Sequence, residues 1–115
     1  MKKSLGKDGE AFARSYLIRE GYHILFNNYR TRFGEMDIIA KKGNLIVFVE
    51  VKTRTSTVYG QPRESINYKK QMNYQRLALH YVQNNPVAEA DYRFDVIEII
   101  KKGEEYSINH IMNAF

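Results

Sequence analysis

Two apolar segments separated by a short turn signal constrain the first half of this chain of 115 residues. They cover residues 36–40 and 45–51, and the sequence Lys-Lys-Gly-Asn lies between them at positions 41–44. Glycine and asparagine tolerate the left-handed backbone of a two-residue turn, so the pattern predicts a β-hairpin with Gly43 and Asn44 at its centre. Such a tight turn also predicts the register of the whole hairpin.

The predicted register, in which Lys42 faces Leu45, places charged residues together at the end of the hairpin away from the turn. The pairs on one face are Ile39–Phe48, Asp37–Glu50 and Glu35–Lys52, and the pairs on the other face are Ile38–Val49 and Met36–Val51. The second face is wholly apolar and is expected to face the core. The first face brings two opposed acids and a lysine together.

The opposed acids predict a binding site for a divalent cation. The Cβ atoms of Asp37 and Glu50 would lie about 5 Å apart, so their carboxylates would repel unless one is protonated or a cation lies between them. Mg²⁺ suits this place because it commonly takes one or two carboxylates together with phosphate oxygens. Lys52 points to the same side and could hold a phosphate or orient an attacking water. The alternative is a solvated polar face on which Glu35 simply pairs with Lys52.

Composition favours a nucleic-acid partner and excludes several other classes. The net charge of +5 and the pI near 9.4 attract polyanions, although many small proteins are basic for solubility alone. The absence of cysteine excludes disulfides and thiolate metal sites. The N-terminal residues lack the apolar core of a signal peptide, and no apolar run reaches the roughly 18 residues of a membrane span. A soluble, cytoplasmic protein without a membrane partner is therefore expected.

The remaining pattern predicts a single α/β domain over residues 1–115. The order is helix, strand, strand, strand, helix, strand: a helix over about 7–20, a strand over 22–32, the hairpin strands, a loop over 53–63, a helix over 65–84 and a strand over 92–101. A turn at Gly103 leads to a short last segment around Ile108 and Ile111 that receives no class. A strand, a helix and a returning strand make a right-handed crossover, so a mixed sheet flanked by helices is expected.

The site residues also carry a family resemblance. Asp37, a hairpin and then Glu50-Val51-Lys52 resemble the PD-(D/E)xK nuclease signature, with Met36 where the signature often has proline. Nearly the whole chain resembles the YraN family of uncharacterised bacterial proteins, which is similar to archaeal Holliday-junction resolvases. The matching stretches are residues 6–10, 21–25, 28–30, 34–40 and 47–54, with Lys70, 93–95 and 113–115 further along. The resemblance implies a restriction-endonuclease-like fold.

Function follows as an expectation from the residues and the resemblance together. The expected activity is that of a Mg²⁺- or Mn²⁺-dependent endonuclease acting on DNA, such as branched or repair intermediates. Asp37 and Glu50 would hold the metal, and Lys52 would orient the attacking water. The resemblance adds Glu10 as a further metal ligand, although an acid near a helix start is also explained by the helix dipole. Relatives of this kind often work as dimers, so a homodimer is a further expectation.

Basic residues around these acids are expected to contact the nucleic-acid backbone. The four chosen for this role are Arg30, Arg54, Lys69 and Lys70, and further basic and tyrosine residues that could line the same groove are Arg32, Tyr59, Arg63, Tyr68, Tyr74 and Arg76. Any one of them could equally belong to an ordinary solvated surface. Two other functions stay open: a nucleic-acid-binding domain without catalysis, and an interaction module of a larger assembly.

Overall fold

A five-stranded mixed sheet with one helix on each face forms the body of this protein. The computed structural model describes residues 5–55 and 67–115. Its elements are α1 (Leu5–Arg19), β1 (His23–Thr31), β2 (Gly34–Lys42), β3 (Leu45–Arg54), α2 (Tyr68–Asn84), β4 (Asp91–Lys102) and β5 (Glu105–Ile111). The strands lie in sequence order, and only β3 and β4 are parallel, because α2 connects them. The predicted α/β class with a mixed, helix-flanked sheet is confirmed, and the architecture is consistent with a restriction-endonuclease-like core.

The last strand corrects the predicted element order. Residues 105–111 form β5, which pairs antiparallel with β4 from Lys102–Glu105 to Val96–Ile111. A two-residue turn connects the two strands, and Gly103 at its first position has a φ of +60°. The turn resembles the one at Gly43, but β5 was not predicted because most of its side chains are polar and its stability depends on pairing with a neighbour. The helix predicted from residue 65 is described only from Tyr68.

Two apolar clusters hold the helices against the sheet. The cluster under α1 contains Ala13, Leu17, Ile38, Ala40, Val47, Val49, Ile97 and Ile99, and the cluster under α2 contains Met36, Ile39, Ile46, Phe48, Tyr74, Leu77 and Tyr81. Successive strand residues go to opposite faces, so β3 supplies both clusters through its alternating side chains. Neither described helix has the length and apolar content that crossing a lipid bilayer requires.

One predicted core position lies on the other face. Met36 was expected on the same face of β2 as Ile38. In the structure it packs under α2 with Ile39, although residues three positions apart on a regular strand point to opposite faces. The register shift of the β1–β2 pairing lies elsewhere, between Ile24 and Phe26, and the pairs Asn27–Ile38 and Tyr29–Met36 share one register. Asn28, which that register places opposite Asp37, has a φ of +55°. A left-handed residue in a strand changes the local alternation of side chains. On β2 the alternation changes at Asp37, opposite this residue, so Met36 lies in the α2 cluster and Ile38 in the α1 cluster.

A buried ion cluster fastens β4 and β5 beneath α1. The carboxylate of Asp95 is fully buried and receives both Nε and Nη2 of Arg93 at 2.8 Å. Nε2 of His110 lies 2.7 Å from Asp95 Oδ2, and the backbone N–H of Asn113 donates to Oδ1 at 3.0 Å. The hydroxyl of Tyr16 lies 2.9 Å from Nδ1 of His110. Nη2 of Arg93 donates to the hydroxyl of Tyr22 at 2.9 Å, which completes the cluster. Nothing in the local pattern of the sequence predicted this convergence.

A close contact between α1 and β3 predicts that Gly9 tolerates no side chain. A Cβ atom built at Gly9 would lie 3.2 Å from Cβ of Thr53 and nearer still to its Oγ1. Gly9→Ala is therefore expected to lower the free energy of unfolding by about 1–3 kcal/mol through overpacking, although alanine is the better helix former. Urea denaturation measures this, and adding Thr53→Ala should restore part of the loss. A Gly9→Ala variant as stable as the wild type would show that the contact is not tight.

Candidate active site

The β2–β3 hairpin forms in the predicted register, but its ladder ends before the acids. The paired residues run from Lys42–Leu45 to Ile38–Val49. Beyond this point the backbone N–H of Val51 donates to Oδ2 of Asp37 at 2.7 Å. Asp37 and Glu50 therefore do not form the directly opposed pair that the turn predicted. The Asp37 side chain binds the β3 backbone next to Glu50 instead, which keeps the two acids in one neighbourhood.

Asp37 carries the clearest electrostatic signal in the site. Burial raises the pKa of its carboxyl to about 6; the Val51 N–H opposes this shift, and the negative charges of Glu10, Glu50 and Glu35 add to it. An ordinary aspartate is already ionised well below neutral pH. The Asp37 carboxyl, with a pKa of about 6, loses its proton only as the pH approaches neutrality. The field of three neighbouring acids therefore makes ionised Asp37 a place where a cation is favoured.

Glu50 is buried, and its two carboxylate oxygens have different surroundings. Its side chain is only 7% exposed, and Oε1 receives Nζ of Lys70 at 2.7 Å and Nζ of Lys52 at 3.1 Å. Burial, followed by the negative charge of the neighbouring Glu50, raises the pKa of the Tyr74 hydroxyl. Oε2 is buried without a hydrogen-bond partner among the described residues. A desolvated acceptor of this kind costs free energy unless something binds it.

The row of charged residues on β3 continues past Glu50 on the α2 side. Lys52 lies on the same side as Glu50, as its spacing predicted, and Nε of Arg54 lies 3.1 Å from Oε2 of Glu98. The two groups form an ion pair, but Oε2 of Glu98 accepts no hydrogen bond from the described residues. Glu98 on β4 is buried and is the register partner of Lys52. Sequence reasoning missed Glu98 because only the parallel β3–β4 pairing brings it to this row.

Glu10 borders the site from the α1 side. When the amide of Asn28 is oriented so that its NH₂ group faces the acids, this group donates to Oε1 of Glu10 at 3.1 Å and to Oε1 of Glu35 at 2.9 Å. Together with Arg14 and Arg30, these residues line a cavity of about 410 Å³. In the described part of the chain no three acids or histidines are close enough to hold a metal ion as they stand. The role of Glu10 as a metal ligand stays a prediction.

The donor set that fits a hard cation is therefore Asp37 with Glu50. Both offer carboxylate oxygens, Glu50 keeps a buried Oε2 without a partner, and the neighbouring acids disfavour ionised Asp37. Mg²⁺ commonly uses one or two protein carboxylates and completes its shell with water and phosphate oxygens. Two protein ligands are thus enough for this ion, and a third is not required by its chemistry.

The residues predicted to contact nucleic acid differ in their surroundings. Arg30 pairs with Glu35 at 3.2 Å, Arg54 with Glu98, and Lys70 with Glu50. Lys69 is exposed at the start of α2. Residues 59 and 63, which were considered for the same groove, lie outside the described residues. Three of the four chosen cations therefore already have an acidic partner, which orients them around the site.

The neighbours Lys69 and Lys70 give a matched test of binding against positioning. If the expected nuclease activity is present, Lys70→Ala should lower the cleavage rate with less effect on affinity, because it removes the described cation that lies closest to Glu50. Lys69→Ala should weaken DNA binding similarly for all sequences and reduce the slope of log affinity against log salt by about 1. Single-turnover cleavage and fluorescence anisotropy at several salt concentrations measure the two effects. Equal effects of both variants on affinity and rate would contradict the assignment.

Comparisons with known proteins give a consistent family match. The sequence profile described as "Uncharacterised protein family UPF0102" matches residues 9–99. A UPF0102 protein of Alkaliphilus oremlandii is 51% identical over 117 aligned residues that cover all of both chains. A UPF0102 protein of Caldicellulosiruptor saccharolyticus is 48% identical over 99% of this chain and 98% of its own length. The matched region includes Glu10, Asp37, Glu50, Lys52 and Lys70.

Proposed function

Because this chain belongs to the UPF0102 family and carries the site described above, we propose that it is a metal-dependent nuclease that hydrolyses DNA phosphodiester bonds. The observation that carries the proposal is the pair of carboxylates at the β2–β3 junction. Asp37 has a pKa raised to about 6, and Glu50 has a buried oxygen without a hydrogen-bond partner among the described residues. A divalent cation between them satisfies both.

The chemistry of the site residues supports phosphodiester hydrolysis in particular. Bound to Asp37 and Glu50, Mg²⁺ or Mn²⁺ would polarise the phosphate and lower the pKa of a water ligand. Lys52 lies within 3.1 Å of Glu50, so its ammonium group is held where a phosphate oxygen or an attacking water would meet the carboxylates. Lys70 supplies a second positive charge from α2. No covalent intermediate with the protein is needed.

DNA as the substrate is supported by the charge of the protein and by the cations at the rim of the site. The net charge is +5, and Lys69 is exposed beside Lys70. Contacts of this kind bind the sugar-phosphate backbone and carry no sequence information, which suits recognition of branched or repair intermediates by shape. A homodimer would bring two such sites to a symmetric substrate. The cytoplasm, where such intermediates form in bacteria, stays the predicted location.

Cleavage assays on linear, flap, fork and four-way-junction DNA test the proposal directly. We expect cleavage with Mg²⁺ or Mn²⁺, none with EDTA, and none from Glu50→Gln, which keeps the shape of the side chain but loses its charge. Glu104→Gln, at an exposed position in the turn between β4 and β5, is the matched control and should cleave like the wild type.

Two results would replace the proposal. If the wild type and Glu50→Gln bind DNA equally and neither cleaves it with either metal, the domain binds nucleic acid without catalysis. The lysine contacts that occupy Oε1 of Glu50 favour this second candidate. If the wild type binds no DNA at low salt, where electrostatic attraction is strongest, the protein is an interaction module instead.

A further inference from the structure

A cavity between the β1–β2 turn and α2 has a lining unlike that of the acidic site. It measures about 240 Å³ and is lined by Arg32, Phe33, Arg76, Leu79, His80 and Gln83. None of its described lining residues is acidic, whereas the cavity on the α1 side contains Glu10 and Glu35. The lining combines two guanidinium groups with an aromatic ring, an imidazole and an amide. Such a set binds a ligand that is both anionic and flat.

The β1–β2 turn holds the aromatic part of this cavity in place. The N–H of Phe33 donates to Oγ1 of Thr31 at 3.0 Å, and Gly34 adopts a φ of +134° that few other residues tolerate. The guanidinium of Arg32 lies 5.0 Å from the centroid of the Phe33 ring. Nucleobases stack on aromatic rings and on arginine planes alike. Since the guanidinium covers one face of the ring, one base can stack against this pair on the outer side of Arg32 or on the other face of Phe33.

Helix α2 supplies the polar half of the cavity through one of its faces. The four lining residues of this helix are Arg76, Leu79, His80 and Gln83. Each lies three or four residues from two of the others, a spacing that places helical side chains on one face. Nδ1 of His80 lies 2.9 Å from the hydroxyl of Tyr29. When that hydroxyl donates, Nε2 carries the ring proton and can donate to a ligand. Arg76 is exposed and suits a phosphate, and Gln83 suits a base edge.

The cavity lies at a distance from the acids that one nucleic-acid strand can span. Phe33 lies in the turn directly before β2 and precedes Asp37 by four residues, which corresponds to at most about 13 Å along the chain. His80 follows Tyr74 by six residues, which corresponds to about 9 Å along α2. The exposed Lys69 lies in the first turn of α2, on the side of the helix that faces the cavity further along. Lys69 and Arg76 are seven residues apart, so these two exposed cations lie on the same side of α2 between the proposed cleavage site and the cavity.

We infer that this cavity binds one unpaired nucleotide of the DNA substrate, with its base stacked on Arg32 and Phe33 and its phosphate on Arg76. The inference rests on the proposed nuclease function and makes it more specific. A base inside a duplex is stacked and paired and cannot enter a cavity of this size, whereas a base at a flap, gap or junction can. The protein then selects DNA with single-stranded character next to the cleaved bond.

Binding measured without cleavage tests this inference. Fluorescence anisotropy in EDTA compares a short fluorescein-labelled oligothymidylate with a blunt duplex. We expect Phe33→Ala and Arg76→Ala to bind the single strand about tenfold more weakly and the duplex almost unchanged. Phe33→Tyr should bind like the wild type, which shows that the ring rather than folding is responsible. Arg19→Ala, an exposed arginine in the last turn of α1, is the control for loss of charge.

A second readout places the base directly. Ultraviolet irradiation of an oligonucleotide that carries 5-iododeoxyuridine should crosslink the peptide containing Phe33, and thymidine 5′-monophosphate should compete only weakly. If the mononucleotide instead binds tightly in a Phe33-dependent way while strand binding ignores the variants, the cavity serves a free nucleotide and the inference is wrong. If the variants bind both DNA forms like Arg19→Ala while the wild type still cleaves, the inference fails and the nuclease stands. If the wild type neither binds nor cleaves, the proposed function fails.

Discussion

Asp37→Asn is expected to abolish cleavage and at the same time to make the protein more stable at neutral pH. Asparagine can still accept the hydrogen bond from the Val51 N–H, so the local structure should remain. It cannot hold a divalent cation in the way a carboxylate can, and losing one preorganised electrostatic group in an active site costs about 10²–10³-fold in rate. We expect a loss of at least this size in single-turnover cleavage.

The gain in stability follows from the raised pKa of Asp37. Its carboxyl has a pKa of about 6 in the folded protein against an ordinary value of 3.8, so the folded state binds more protons than the unfolded state between these values. The stabilising effect of the protonated form is complete below pH 3.8 and is lost as the pH rises through 6. Above that pH the ionised carboxylate disfavours folding by about 3 kcal/mol at most, and asparagine removes this cost.

Urea denaturation without metal at a series of pH values measures the effect. The difference in unfolding free energy between Asp37→Asn and the wild type should grow from pH 4 to pH 6 and then stay constant. Adding Mg²⁺ should stabilise the wild type more than the variant, because only the wild type keeps both carboxylates. Asp91→Asn, at an exposed position on β4, is the control. A variant that is less stable at every pH and cleaves normally would refute the assignment of Asp37.

The second large effect is expected at the buried ion cluster, where Asp95→Ala should lower the free energy of unfolding by about 3–5 kcal/mol. Removing one member of a buried ion pair leaves the other charge without its partner. Arg93 would lose two hydrogen bonds of 2.8 Å, and His110 would lose one of 2.7 Å. Asp95→Asn should cost less because its oxygen can still accept one of these donors.

The pH dependence at Asp95 has the opposite sign from that at Asp37. Burial alone would raise the pKa of the Asp95 carboxyl, but hydrogen bonds from His110, Arg93 and the Asn113 N–H outweigh it and lower the pKa below 3.8. The stability that Asp95 contributes is therefore complete above pH 3.8 and is lost as the pH falls through the lowered value. Urea denaturation measures both variants, with Asp91→Ala as the control. A loss below about 1 kcal/mol would show that the cluster is not essential to the fold.

The main elements of the fold and the neighbourhood of the site could be predicted because both depend on local patterns. The turn at Gly43 and Asn44 predicted the register from Lys42–Leu45 to Ile38–Val49, which the structure confirms. The spacing of Glu50 and Lys52 predicted that they share a side, and they form an ion pair. Alternation along a strand is a property of the backbone, so it is visible in the sequence.

The positions of Asp37 and Met36 could not be predicted in the same way. The alternation on β2 changes opposite the left-handed Asn28 of the neighbouring strand, and no rule for a single strand contains this information. Glu98 enters the charged row only through the parallel pairing of β3 with β4, and Lys70 reaches Glu50 only because α2 crosses that end of the sheet. Each of these contacts joins residues that are distant in the chain.

Local patterns in the sequence were enough to predict the helices and strands up to β4, the register of the central hairpin and the acids beside a lysine on β3, but not β5. Three features depend on packing between distant segments: Asp37 binds the Val51 N–H, two lysines share one oxygen of Glu50, and Arg32 and Phe33 meet α2. The physical reason is range. Backbone geometry and turn preferences act over a few residues, whereas burial and charge at a site depend on every element packed against it.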